Sequence, residues 1–112
     1  MKLVWSLLLA SLLLTACTHP HIPLNEEKLL GTPMFTSLKD ALASPQEVYR
    51  INLYQKNLKE IPHEIRGLEK LQRIDLSSNP NMHSWKKVLL QLGELKYLEE
   101  VNLENNNLRH LP

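Results

Sequence analysis

The apolar positions of this chain recur in three copies of one spacing. Val48-x-x-Ile51-x-Leu53 is followed by Leu58 and then Ile61-Pro62. Leu71-x-x-Ile74-x-Leu76 is followed by Asn79 and Met82, and Leu98-x-x-Val101-x-Leu103 by Asn106, Leu108 and Leu111-Pro112. The offset from Ile51 to Ile74 is 23 residues and from Ile74 to Val101 it is 27. Within each copy the alternation Ile51/Leu53, Ile74/Leu76 and Val101/Leu103 predicts a short strand with one face buried. Strands this short cannot bury their apolar face alone, so the copies are expected to stack as a parallel sheet over a continuous core. The return stretches read as helical or 3-10. Ile61, Ile65 and Leu68 recur at four and three, as do Trp85, Val88, Leu89 and Leu92, with Ser84 as the expected N-cap of the second return. That second return runs 16 residues from Met82 to Leu98 against 13 from Leu58 to Leu71, which predicts a fuller helix and an outward bulge. Upstream, Ser37 with Asp40 has the form of a capping box, Leu38, Ala41 and Leu42 share a face, and Pro45 stops the turn. A short helix over 37–44 is therefore expected to close the N-terminal end of the stack.

These copies are similar to leucine-rich repeats, whose consensus is L-x-x-L-x-L-x-x-N-x-L. The resemblance covers about Val48 to Pro112, with repeats at about 48–70, 71–97 and 98–112 in a domain of residues 36–112. It implies an α/β solenoid with parallel strands on the concave face and helical or 3-10 returns. It also implies that the Asn side chain bonds backbone groups in the turns of adjacent rungs. Asn79 and Asn106 occupy that slot, and the third copy matches every consensus position. The first copy departs, carrying Lys56 with Asn57 beside it. Lys only donates, so this rung is expected to leave the ladder incomplete unless Asn57 shifts in. The second copy departs too, with Asn79-Pro80-Asn81 delaying the next apolar residue and Trp85-Lys86 replacing the usual apolar-Pro pair.

The first sixteen residues follow a different pattern. Lys2 is their single charge, and an apolar run from Leu3 to Leu14 follows it. That run is too short for a permanent transmembrane helix, which takes about 20 apolar residues, and has the form of a secretory signal peptide. Ordinary signal cleavage after Ala16 would place Leu14 at a position that prefers a small residue. Leu14-Thr15-Ala16-Cys17 instead resembles the lipobox of bacterial lipoproteins. That resemblance implies cleavage before Cys17, a diacylglycerol on its thiol, further acylation of the new amine, and attachment to a membrane of the bacterial envelope. The outer membrane is the expected membrane, with the leaflet left open. Two or three acyl chains hold a protein stably where one does not. Residues 17–35, with three prolines and a polar run, read as the lipidated Cys and a flexible tether. His19 and His21 lack a third ligand for a metal site.

Composition narrows the function classes. The chain has 112 residues, enough for one domain at most. Its single cysteine excludes an internal disulfide framework and a four-thiolate zinc site. The net charge of +1 gives no bulk case for nucleic acid. No G-x-S-x-G, glycine-rich phosphate loop or H-E-x-x-H occurs, and the remaining histidines His63, His83 and His110 are scattered. Neither an enzyme nor a bound cofactor or metal is expected. Binding is the better expectation, because a repeat sheet exposes a face whose outward residues vary without disturbing the core. By the alternation, those residues are Arg50, Asn52, Tyr54, Arg73, Asp75, Ser77, Glu100, Asn102 and Glu104. Arg50 above Arg73 with Tyr54 nearby has hot-spot chemistry for an unidentified protein partner. The alternative is a structural, vestigial or truncated repeat lipoprotein without its own ligand. Strand Val101 to Leu103, with Leu108 and Leu111, is also expected to leave an uncapped edge through which the protein self-associates.

Overall fold

The structure, a computed structural model, describes residues 23–108. The signal-like segment, Cys17, His19, His21, His110 and Leu111 lie outside the described residues. A short helix α1 (Glu26–Leu30) precedes strand β1 (Met34–Phe35) and helix α2 (Leu38–Ala43). A 3-10 turn (Pro45–Glu47) leads into β2 (Arg50–Asn52), and a second 3-10 segment (His63–Gly67) into β3 (Arg73–Asp75). Helix α3 (Trp85–Gly93) and strand β4 (Glu100–Asn102) follow.

The strands form one parallel sheet in sequence order, β1-β2-β3-β4. Ile51, Ile74 and Val101 lie in register, as do Arg50, Arg73 and Glu100, and Asn52, Asp75 and Asn102. The period of two sends each register row to one face. Ile51 and Ile74 are buried, as are Leu53 and Leu76 one pleat on. The returns close the other side of this core with Ile61, Ile65 and Leu68, then Trp85, Val88 and Leu92. In the last rung Val101 and Leu103 pack against the core but remain partly exposed. The longer second return forms nine residues of α-helix where the shorter one forms only 3-10 turns, as its extra length predicts.

Three local readings change. Residues 26–35, expected within a flexible tether, instead form α1 and β1. Asn25 caps α1, its Oδ1 accepting from the Lys28 amide at 2.9 Å, and Met34 and Phe35 pair in parallel with Arg50 and Ile51. Met34 precedes Arg50 by only 16 residues, so this extra rung is too compact to show the repeat spacing. Consequently α2 does not close the end of the stack; it is the return between β1 and β2. Its capping serine is as expected, with Ser37 Oγ accepting from the Asp40 amide at 3.0 Å. Ser84 makes no side-chain capping bond, because its backbone is left-handed at φ 51°.

The asparagine ladder explains why Lys56 is tolerated. Asn79 Oδ1 accepts the amides of Lys56 at 3.1 Å and Leu58 at 3.0 Å, both in the preceding rung. Its Nδ2 donates to the carbonyls of Leu53, Leu76 and Ser77. Asn106 repeats this one rung later, accepting from the Asn79 amide at 2.7 Å and donating to Leu76 and Leu103. Each ladder Asn therefore serves the turn before it. The rung before Lys56 leaves β1 at Phe35 and enters α2 at Leu38, with Ser37 as its cap, so it has no comparable turn amides to satisfy. Asn57 does not shift in as a substitute; it takes a left-handed φ of 54° and its Oδ1 accepts from Asn81 Nδ2.

Candidate functional site: the outward face of the sheet

The outward strand residues define a cleft of about 200 Å³ lined by Met34, Arg50, Asn52, Arg73, Asp75, Glu100 and Asn102, with Ile51 and Ile74 at its base. Six of the nine residues expected on this face thus come together. Tyr54, Ser77 and Glu104 do not line it. Tyr54 is half exposed beyond the end of β2 and Glu104 is exposed beyond β4. Ser77 departs from the expectation, being 5% exposed. Its hydroxyl and amide both donate to Asp75 Oδ1, at 2.5 and 2.8 Å, folding it inward. The alternation ends with the strand, one residue before Leu76, so it could not place Ser77.

One row of the face is fixed by its own turns. Asn52, Asp75 and Asn102 sit in register, and each Oδ1 accepts the amide two residues on, from Tyr54, Ser77 and Glu104 respectively. Such side-chain-to-backbone bonds close an Asx turn and lock the χ angles of the accepting side chain. Three residues beyond each, Gln55, Ser78 and Asn105 adopt left-handed φ values of 51°, 56° and 55°. The repeat therefore presents three polar side chains at one height, leaving Asp75 Oδ2 with only a long 3.5 Å contact from Asn102 Nδ2.

The other row is already occupied. Arg50 donates to the carbonyls of Leu30 at 3.2 Å and Thr32 at 2.6 Å, and to Thr32 Oγ1 at 3.3 Å. Arg73 Nη1 and Nη2 donate to the two carboxylate oxygens of Glu26 in α1. Its Nε faces Glu100 at 3.4 Å and Glu99 at 3.8 Å. The Arg73 hydrogen bond holds the Glu26 carboxyl below its ordinary value, opposed by desolvation and helped by the charges of Arg73 and Arg50, while the same bond raises Arg73. A carboxylate lowered in this way favours the clasped form above the ordinary carboxylate pKa. That contribution is lost as the pH falls through the lowered value. The two arginines expected as partner hot spots are thus engaged within the chain.

Sequence reasoning missed Glu26, Leu24, Thr32, Met34 and Gln72. Gln72 is fully buried just before β3, its amide pairing with both backbone groups of Leu24 at 2.8 and 3.0 Å. The available signal was Asn25 three residues before Lys28, a cap that the prolines around it obscured. Among the described residues no three His, Cys, Asp or Glu side chains gather to hold a metal ion, and no helix is long and apolar enough to cross a membrane.

A solved leucine-rich repeat protein of Leptospira interrogans is similar to this chain, with 34% identity and a TM-score of 0.63 over 72% of it. The chain has a leucine-rich-repeat-like fold. It spans 20% of the length of that Leptospira protein. No family model and no curated protein matches the sequence.

Proposed function

We propose that this is a lipid-anchored bacterial envelope protein, without catalytic chemistry, whose leucine-rich repeat solenoid binds a protein through the outward face of its sheet. The observation that carries the binding reading is the preset row of Asn52, Asp75 and Asn102 beside half-exposed Tyr54. Side chains held by their own turns lose little freedom when a partner docks, and Tyr supplies contact area at low entropic cost. With both arginines engaged and Asp75, Glu100 and Glu104 on the open side, the available groups are mostly acceptors, which favours a partner that brings donors. The anchor rests on Leu14-Thr15-Ala16-Cys17, and the Leptospira neighbour agrees with a bacterial source.

The engaged arginines favour a second reading, a repeat lipoprotein that is structural and has no ligand. One experiment separates the two and tests the anchor. The full chain is expressed with a C-terminal tag in a bacterial host, its envelope is cross-linked, and tagged adducts are quantified. Tyr54→Ala with Asp75→Asn should lower specific adducts about tenfold or more, while Leu90→Ser on the exposed flank of α3 should leave them unchanged. Cys17→Ser should move the protein out of the membrane fraction and abolish incorporation of labelled fatty acid. Adducts insensitive to the double variant would favour the structural reading, and a Cys17→Ser protein that partitions like its parent would remove the anchor.

A further inference from the structure

Residues 24–32 belong to no repeat, yet side chains from the two middle rungs hold them. Gln72 pairs with Leu24 as one strand pairs with another, both amide groups engaged. Arg73 takes the carboxylate that opens α1, and Arg50 takes the carbonyls that close and follow it. Between these handles Leu29 is completely buried, although it is not part of the main core. A planar guanidinium with both Nη atoms on one carboxylate is a bidentate recognition contact. Arg50 meets unsatisfied carbonyls of the kind every helix end presents. Glu99 and Glu100 lie at Arg73 Nε and leave its Nη pair to Glu26.

We propose that residues 24–32 are a ligand bound in cis, and that the site formed by Arg50, Gln72 and Arg73 exchanges them for a partner's short helical segment of the same chemistry. That segment carries a carboxylate at its first helical residue, an aliphatic side chain three residues later, and free carbonyls at its end. The exchange is feasible because Glu26 is on the surface, its side chain 63% exposed. Surface ion pairs hold weakly on their own, so the clasp depends on Leu29. This inference rests on the sheet face being a protein-binding surface; it concerns the arginine row, which takes a partner's acceptors once residues 24–32 leave, and not the row of Asn52, Asp75 and Asn102 that favours donors.

The probe is a synthetic labelled peptide with the sequence of residues 23–33, titrated by fluorescence anisotropy onto the full chain. The parent should bind it weakly, because its own segment competes. Leu29→Ala, which frees that segment, should bind it about tenfold more tightly, and adding Arg73→Gln should remove the gain. Glu26→Gln keeps the buried contact and provides a fold-safe variant, with a gain of about threefold. A peptide with Gln in place of its first Glu should bind each protein more weakly. The proposal is overturned if neither Leu29→Ala nor Glu26→Gln binds better than the parent, or if Arg73→Gln leaves the gain intact. Loss of peptide exchange with Tyr54-dependent adducts retained would remove this inference alone.

Discussion

Ile74→Asp should be the most damaging single substitution in the sheet. Ile74 is 2% exposed in the third of four strands, flanked in register by Ile51 and Val101. A carboxylate there loses its hydration, gains no counter-charge and opens a void where a branched side chain packed, with an expected penalty of about 3–5 kcal/mol. Domains of this size hold about 5–15 kcal/mol in total, so the variant should melt at least about 12 °C lower or fail to fold. The matched control is Asn52→Asp on the outward face, which keeps the oxygen that accepts from Tyr54 and should stay within about 0.5 kcal/mol of the parent. Arg73→Asp would not serve as a neutral outward control, because it would set a carboxylate against Glu26, Glu99 and Glu100. Circular dichroism melts of the two variants decide the matter. Equal losses would mean that the strand faces are wrongly assigned.

Asn79→Ala should come next. This residue is completely buried and its amide joins two rungs through five bonds, accepting from Lys56 and Leu58 and donating to Leu53, Leu76 and Ser77. An unmet buried backbone group costs about 1–3 kcal/mol, and water can reach only part of this cluster. A loss of about 3–4 kcal/mol is expected in urea denaturation. Asn106→Ala, with one accepted and two donated bonds in a half-exposed setting, should lose about half as much. Lys56→Asn should change stability by less than about 0.5 kcal/mol, because the rung before it offers no turn for an Asn to serve. A gain of more than about 1 kcal/mol from Lys56→Asn would show that the ladder runs in the opposite direction.

The core and the strand register could be read from the sequence because two periods carry them. Burial repeats every second residue inside a strand and every 23 or 27 residues between strands, and both depend on apolar identity alone. The same logic marked Arg50, Asn52, Arg73, Asp75, Glu100 and Asn102 as outward, and they line one cleft. It could not show what those side chains touch. Arg50 and Arg73 are held by residues 18 to 47 positions away in sequence, from a segment whose composition reads as tether. Ser77 escaped because the strand ends at Asp75, where an Asx turn replaces alternation as the rule. The rung at Met34–Phe35 escaped because two residues are too few to show a period.

Hydrogen exchange of the tagged chain, free and in the cross-linked adducts, tests the proposed binding face directly. Added protection is expected in the peptides that carry Asn52 and Tyr54, Asp75, and Asn102 and Glu104, with α3 unchanged. Protection confined to α3 and the 3-10 segment His63–Gly67, with the sheet face unaltered, would contradict that proposal.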